Sequence, residues 1–333
     1  MIEMEPMDLS HSGSFIEERL RGIRMSTALC GFLTDFTAGY PLYLNLICQE
    51  IIHLCAIHRQ SEVFIPILIQ AIENVLFNPW GALSRHFEIL VTELSFAKNH
   101  RAMSAVVIAL ANGKHKLKEV ARQAGLKGTA LNQRISRLIE SGIVVKNGNI
   151  FHFQDKLLRY WIKYVFQKKL QAFDLDPRKR REEFVEELNR SWANFQKVSE
   201  NDLSSRIVEL FSCFDNEAFS LNGRKYKLPV FHEVVAFPNN HSADADFQII
   251  KASGSDGVWF IILKTDSFCE NDVNVFVAEL KKLAQKPQRR VIISLTDLDE
   301  NTKVKALQER MWIWNKKEIN ALLSFYDKPF ILK

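Results

Sequence analysis

The stretch KLKEVARQAGLKGTALNQRISRLIESGIVVKNGNIFHFQD, residues 116–155, restricts what this chain can fold into more than any other feature. Apolar side chains recur at helical spacing on both sides of Gly125, and Gly142 follows the second run as a helix stop. Asn147-Gly148 lies between two apolar runs and is a strong signal for a β-hairpin. The pattern predicts two helices and two strands: residues 117–124, 129–141, 143–146 and 150–153. Helix, turn, helix and hairpin in this order predict a winged helix-turn-helix.

The second of these helices has two unlike faces. Four apolar side chains share one face and are expected to pack inward: Leu131, Ile135, Leu138 and Ile139. The other face carries side chains of the types that hydrogen-bond base edges and phosphates: Thr129, Asn132, Gln133, Ser136 and Arg137. Lysines are expected to hold phosphates around it, the last of them on the hairpin: Lys114, Lys116, Lys118, Lys127 and Lys146. The second helix of such a unit enters the major groove of double-stranded DNA, which is therefore the expected partner.

The charge distribution supports a polyanionic partner. Residues 114–181 contain 17 Lys or Arg against 5 Asp or Glu, although the net charge of the whole chain is only +5. Such segregation favours a basic face for nucleic acid, with a solvated basic surface as the alternative. Winged helices also serve as protein–protein modules or spacers, so contact with DNA does not follow from the fold alone.

Composition and cysteine usage limit the class of protein. The chain has 333 residues, which indicates two or three domains. It has no run of 18 apolar residues and no signal peptide at its start, so we expect a cytoplasmic protein without a membrane partner. The five cysteines are irregularly spaced, as reduced thiols are. Side chains near Cys48 and His53 do not converge from one helix, so no metal site is expected.

The chain divides into three predicted domains. Residues 1–80 read as a small helical bundle, residues 81–168 contain the winged helix, and residues 169–333 alternate strands with helices. In the bundle, Gly39 and Pro41 form a turn between two helices. The alternation in the third domain predicts a sheet of mixed direction flanked by helices. The fold class is therefore multidomain, α followed by α/β.

The segment WFIILKTD, residues 259–266, raises the question of an active site. A magnesium-dependent nuclease places an Asp at one strand end and Glu-x-Lys on the adjacent strand, so that the acids hold the metal and the lysine stabilises charge. Asp246 can supply the first carboxylate and Lys264 the cation, but Ile262 stands where the second acid is required. The segment therefore predicts a remnant of a catalytic site. A relocated acid would come from Glu233, Asp256 or Asp266.

The order of these segments resembles a known family. FTAGYPLYLNLICQEI, the winged helix with FHFQDKLLRYWIKYVF and the sheet domain together resemble the C-terminal two-thirds of archaeal-type, STAND-like P-loop ATPases. The resemblance implies a helical AAA+-type lid, a winged helix and a restriction-endonuclease-like domain of the PD-(D/E)xK type. It also implies that the turn at Gly39 and Pro41 sits near the nucleotide. Asp155 and Trp161, after the wing, fit the family pattern as well.

The chain departs from this family where chemistry is concerned. It has no G-x-x-x-x-G-K-[ST], so the phosphate cradle of an ATPase is missing. It starts where the family's ATPase core ends, which indicates a truncated gene, a split protein or a remnant. By the resemblance, Ser204 takes the place of a glutamate of the nuclease-like domain, and Ile262 takes that of another.

These observations lead to one main functional hypothesis and two alternatives. The main hypothesis is a DNA-binding module with a catalytically degenerate nuclease-like domain, which is not an enzyme by itself. The first alternative is a magnesium-dependent nuclease with a relocated acid. The second is a subunit that completes a separate ATPase core. No cofactor is expected for the chain by itself, and ATP with Mg²⁺ only if such a core is its partner.

Overall fold

A computed structural model describes residues 7, 9–95, 100–167, 177–221, 224–237, 247–282 and 286–331 of the chain. They form two compact units, one ending at residue 196 and the other covering residues 197–331. The first unit is mainly helical, and the second contains a mixed sheet with helices. The predicted order of an α region followed by an α/β region is therefore confirmed.

Helices form most of the first unit. The described helices are α1 (Leu9–Leu20), α2 (Thr27–Thr37), α3 (Pro41–His58), α4 (Ile65–Phe77), α5 (Ala82–Ser95), α6 (His100–Ala111), α7 (Leu117–Ala124), α8 (Thr129–Glu140), α9 (Lys156–Trp161) and α10 (Pro177–Glu200). A hairpin of β1 (Val144–Asn147) and β2 (Ile150–Phe153) follows α8, and a π-helical segment, Ile162–Phe166, continues α9. No helix in the described ranges combines the length and apolarity that crossing a membrane requires.

Local chemistry explains where these helices begin. Ser26 caps α2, since its hydroxyl accepts the N–H of Leu29 at 3.3 Å. Pro66 lies in the first turn of α4, where a missing N–H costs no intrahelical hydrogen bond. The helix α4 therefore begins at Ile65, directly before the proline.

The helix α10 belongs mainly to the first unit. Its Trp192 and Phe195 rings lie 5.3 and 5.6 Å from the Phe32 ring of α2, and its Phe184 is fully buried. The last domain is predicted from the sequence to start at residue 169, whereas the second unit starts at residue 197. The start of α10 carries many charges, so the sequence did not indicate that the helix packs against the first unit.

The second unit is built on a five-stranded sheet. Its strands and helices are α11 (Leu203–Ser212), β3 (Glu217–Leu221), β4 (Arg224–Leu228), β5 (Phe231–Phe237), β6 (Gln248–Gly254), β7 (Gly257–Lys264), α12 (Glu270–Lys282), β8 (Arg289–Ser294), α13 (Glu300–Gln308), β9 (Trp312–Trp314) and α14 (Lys316–Phe325). The strand order is β5-β6-β7-β8-β9, with β3 and β4 in a separate hairpin. Neighbours from β5 to β7 are antiparallel, and those from β7 to β9 are parallel.

Helices cover both faces of the central strand β7. Phe260 and Ile262 pack into a core with Phe276 of α12. Trp259, which points to the other face, contacts the Phe211 ring of α11 at 6.4 Å. Burial on both faces explains the continuous apolar run of this strand, since alternation is expected only when one face is wet.

The segment YKLPVFHEVVAF, residues 226–237, belongs to two strands. It divides at Pro229-Val230 into β4, which pairs with β3, and β5, which pairs with β6. Proline has no N–H to donate to a ladder, so a strand ends there readily. The strand β3 was not anticipated at all.

The turn at Gly39 is predicted to require glycine for the stability of the first unit. Gly39 has φ of 72°, and a Cβ there would lie 2.2 Å from the carbonyl oxygen of Met7. Gly39→Ala should therefore lower the free energy of unfolding by about 2 kcal/mol, measured by urea denaturation. Gly13→Ala in α1 is the control, because a Cβ there meets no atom within 4 Å. Equal effects of the two substitutions would contradict the assignment.

Candidate nucleic-acid interface

Two glycines set the angle between α7 and α8. Gly125 ends α7 with φ of 65°, and its N–H bonds to the carbonyl of Ala121. Gly128 precedes α8 with φ of 57°. Both conformations lie in the region that residues with a side chain rarely adopt, so the short turn between the helices depends on glycine at each end.

The helix α8 exposes the face that the sequence indicated. Leu131, Ile135 and Leu138 are buried, and Ile139 is half-buried. The predicted polar contacts are all exposed: Thr129, Asn132, Gln133, Ser136 and Arg137. The structure therefore brings these five side chains together on one solvent-facing surface, which we call the α8 face.

The hairpin is held against the start of α7. The N–H of Phe151 donates to the carbonyl of His115 at 2.8 Å, and Lys116 forms an isolated antiparallel bridge with Ile150. Lys146 is paired with Phe151 across the hairpin, and its Nζ lies 5.9 Å from the centre of that ring. The wing is thus fixed relative to the two helices by backbone contacts.

The cations around the α8 face differ in exposure. Lys118, Lys127 and Lys146 are exposed, like Arg137, whereas Lys114 and Lys116 are half-buried. No carboxylate in the described ranges forms an ion pair with any of these four exposed cations. The backbone N–H of Lys116 donates to the Glu119 carboxylate at 3.3 Å in the first turn of α7. The four exposed cations are therefore available to an anionic ligand.

The comparison with family models agrees with this geometry. A family described as winged helix-turn-helix DNA-binding matches residues 108–145, which include α7, α8 and the start of the wing. Residues 108–145 are thus a winged helix-turn-helix of the DNA-binding type. No curated protein matches the chain.

One comparison with solved structures gives a weak likeness. The crystal structure of protein VC1899 from Vibrio cholerae is similar over 77% of this chain and 55% of that chain, with 14% identity and a TM-score of 0.23. The chain thus spans little more than half the length of that protein. A likeness at this TM-score carries no argument about fold or activity.

The turn at Gly39 and Pro41 lies beside the start of α9. The carbonyl of Gly39 accepts the N–H of Met7 at 2.9 Å, and Pro41 begins α3. On the two sides of this turn, Asp35 bonds to Lys156 at 3.3 Å and the Tyr43 hydroxyl donates to the Asp155 carboxylate. Polar contacts on both sides of the Gly39–Pro41 turn therefore connect it to the helix that follows the wing.

Asp155 holds this junction together. Its carboxylate accepts the N–H of Leu158 at 3.1 Å and so caps α9, while the Tyr43 hydroxyl bonds to its other oxygen. Burial raises the pKa of Asp155, and the hydrogen bond from Tyr43 opposes that rise. Trp161 is buried in the core that also contains Tyr43.

Lys264 of the second unit has a partner, Asp272, that the nuclease pattern did not predict. Its Nζ lies 3.0 Å from the carboxylate of Asp272, and the two side chains are only 14% and 7% exposed. Asp272 also accepts the N–H of Cys269 at 2.9 Å and so closes the first turn of α12. An acid in the first turn of the helix after the strand was the sequence signal for this partner. The nuclease pattern concerns carboxylates on strands, so it did not include Asp272.

The other residues of the predicted nuclease site do not join Lys264. Asp246 lies outside the described residues. Ile262 is fully buried between Ile249 of β6 and Ile292 of β8, and Asp266 is exposed beyond the strand end.

The remaining candidate acids lie elsewhere in the sheet. Asp256 sits in the turn before β7, at the opposite end from Lys264, and pairs with Lys227 at 3.4 Å. Glu233 is opposite Ser253, which is close to that same end. In the part of the chain that is described, no group of three or more His, Cys, Asp and Glu side chains is placed to hold a metal ion.

The contact between Lys264 and Asp272 is predicted to be structural. Lys264→Met leaves a buried carboxylate without its counter-charge, so we expect the second unit to lose about 3 kcal/mol of unfolding free energy in urea denaturation. Lys281→Met, at an exposed position of α12, is the matched control and should change little. If Lys264→Met unfolds at the same urea concentration as the wild type, the ion pair does not stabilise the sheet.

Proposed function

We propose that this chain binds double-stranded DNA, with α8 in the major groove and the β1–β2 hairpin beside the backbone. The α8 face and the cations around it carry this proposal. Its five exposed polar side chains, which include Arg137, lie near three exposed lysines, Lys118, Lys127 and Lys146, and none of these four cations has a described carboxylate partner. A winged helix used only for protein packing has no need to keep such a face free of acids. Glu140 lies at the far end of the helix.

Different parts of this surface are suited to different contacts. Asn132 and Gln133 carry amides that can bond the edge of an adenine, and Arg137 carries the fork that matches a guanine. Lys118, Lys127 and Lys146 surround the helix and are suited to phosphates, which set register and affinity without reading sequence. Thr129 opens α8, where helix N–H groups also favour a phosphate.

The second unit is proposed to be a restriction-endonuclease-like domain that has lost its chemistry. The sheet order supports the shape, since three antiparallel neighbours are followed by two parallel strands reached through α12 and α13. Ile262 in the core and the pairing of Lys264 with Asp272 support the loss of function. A lysine paired with a buried carboxylate has little charge to offer a phosphate. The pair of Lys264 and Asp272 therefore does not support the nuclease alternative.

The first four helices, within residues 1–80, are proposed to be a lid of the STAND-like ATPase type. The contacts of Tyr43 with Asp155 and of Lys156 with Asp35 support a role in positioning the winged helix. Any ATP and Mg²⁺ would be held by a separate ATPase-core partner, with Gly39 and Pro41 on the side of the nucleotide. DNA binding by the chain itself requires neither.

Removing the cations on and around the α8 face is predicted to weaken duplex binding and to make the remaining affinity less dependent on salt. Lys118→Ala, Lys127→Ala and Arg137→Ala together should weaken binding to duplex DNA, measured by fluorescence anisotropy. Each lost phosphate contact lowers the slope of log affinity against log salt by about 0.9, so the loss of Lys118 and Lys127 should lower it by about 2. The loss of Arg137, a base contact, should weaken binding further by about 1–3 kcal/mol.

A matched triple variant separates this effect from net charge. Lys281, Lys286 and Lys317 are exposed cations of the second unit, and their replacement by Ala removes the same charge. This control should keep most of the duplex affinity and the slope. Duplex binding that falls equally in both triples would show that the α8 face is not the binding surface.

A further inference from the structure

Two aromatic rings meet at the surface of the second unit, where β4 lies against the edge strand β9. The ring of Tyr226 is 4.7 Å from that of Trp312 and nearly perpendicular to it, and both side chains are half-buried. The guanidinium carbon of Arg289 lies 5.0 Å from the centre of the Trp312 ring, and Arg289 is exposed. On the solvent side of this cluster, the Arg289 guanidinium thus lies over the Trp312 ring.

Charge around the rings is not neutralised. Arg224 is exposed and lies two residues before Tyr226, hence on the same face of β4. The cations that directly follow Tyr226 and Arg289 have partners, since Lys227 pairs with Asp256 and Arg290 with Glu309. Neither Arg224 nor Arg289 has a carboxylate partner within the described ranges.

The sheet fixes these side chains in place. Trp312 contacts the ring of Trp259 at 5.0 Å, and the indole N–H of Trp259 donates to the side chain of Gln288 at 3.1 Å. Arg289 is opposite Trp259 in the parallel pairing of β7 and β8. Arg289 thus lies on the inner strand β8, and Trp312 of the edge strand packs against a ring of the central strand β7. Side chains held in this way are positioned before a ligand arrives, which lowers the entropy cost of binding.

We propose that Arg289, Trp312, Tyr226 and Arg224 form a binding site for unpaired nucleotides of a single-stranded nucleic acid. Bases stack on aromatic rings and on arginine guanidinium planes, and arginine forks bind phosphate. A duplex does not offer base faces to such a stack. The site belongs to the second unit and does not depend on duplex binding by α8.

Binding of labelled oligothymidine and oligouridine to the full chain tests the site. The measurement is fluorescence anisotropy on a background of Lys118→Ala, Lys127→Ala and Arg137→Ala, which removes the contribution of the α8 face. Arg289→Ala should weaken binding of at least one strand about tenfold, the typical effect of losing one stacking contact. Preference for one strand identifies DNA or RNA as the ligand.

Two further variants make the outcome decisive. Arg289→Lys keeps the charge without the guanidinium plane and should also bind several-fold more weakly, whereas Lys281→Ala should bind like the parent. Absence of single-strand binding, full affinity in Arg289→Ala or Arg289→Lys, or an equal loss in Lys281→Ala would each overturn the proposal. Duplex affinity of Arg289→Ala in the otherwise unchanged chain should be unaltered, so this site and the α8 face succeed or fail separately.

Discussion

The burial of Leu131, Ile135 and Leu138 decides which side of α8 can reach a ligand. Because these side chains fill the core of the first unit, the residues between them must face solvent. Gly125 and Gly128 allow the short turn that leads into α8, and the backbone hydrogen bond from Phe151 to His115 holds the wing beside the two helices. Reading of DNA sequence needs this kind of rigid support, since a base contact is specific only when its donor is held in place.

The two units use buried polar contacts in related ways. In the first, Asp155 caps α9 while bonding Tyr43 of α3, so one carboxylate serves a helix end and a contact between helices. In the second, Asp272 closes the first turn of α12 while pairing with Lys264 of β7. Packing thus explains the lysine at the end of the central strand β7, because Lys264 is the counter-ion of the buried Asp272 carboxylate.

The winged helix was predictable from the sequence because its signals are local. Glycine stops, the 3.6-residue period and Asn147-Gly148 predicted α7, α8 and the hairpin, and each predicted end lies within one residue of the observed end. Features that depend on distant partners were not predictable. Trp192 and Phe195 of α10 pack against Phe32, far away in the sequence, and nothing in the charged start of that helix points to them. Likewise, pairing of Lys264 with Asp272 requires knowing that α12 folds back over β7.

Photo-crosslinking tests the central claim, that α8 lies in the groove of duplex DNA, most directly. A benzophenone amino acid in place of Gln133 is compared with the same group in place of the exposed Lys281 of α12. The account predicts crosslinks to duplex DNA from position 133, mapping to bases, and few or none from position 281. Crosslinks of equal yield from both positions, or none from position 133, would contradict it.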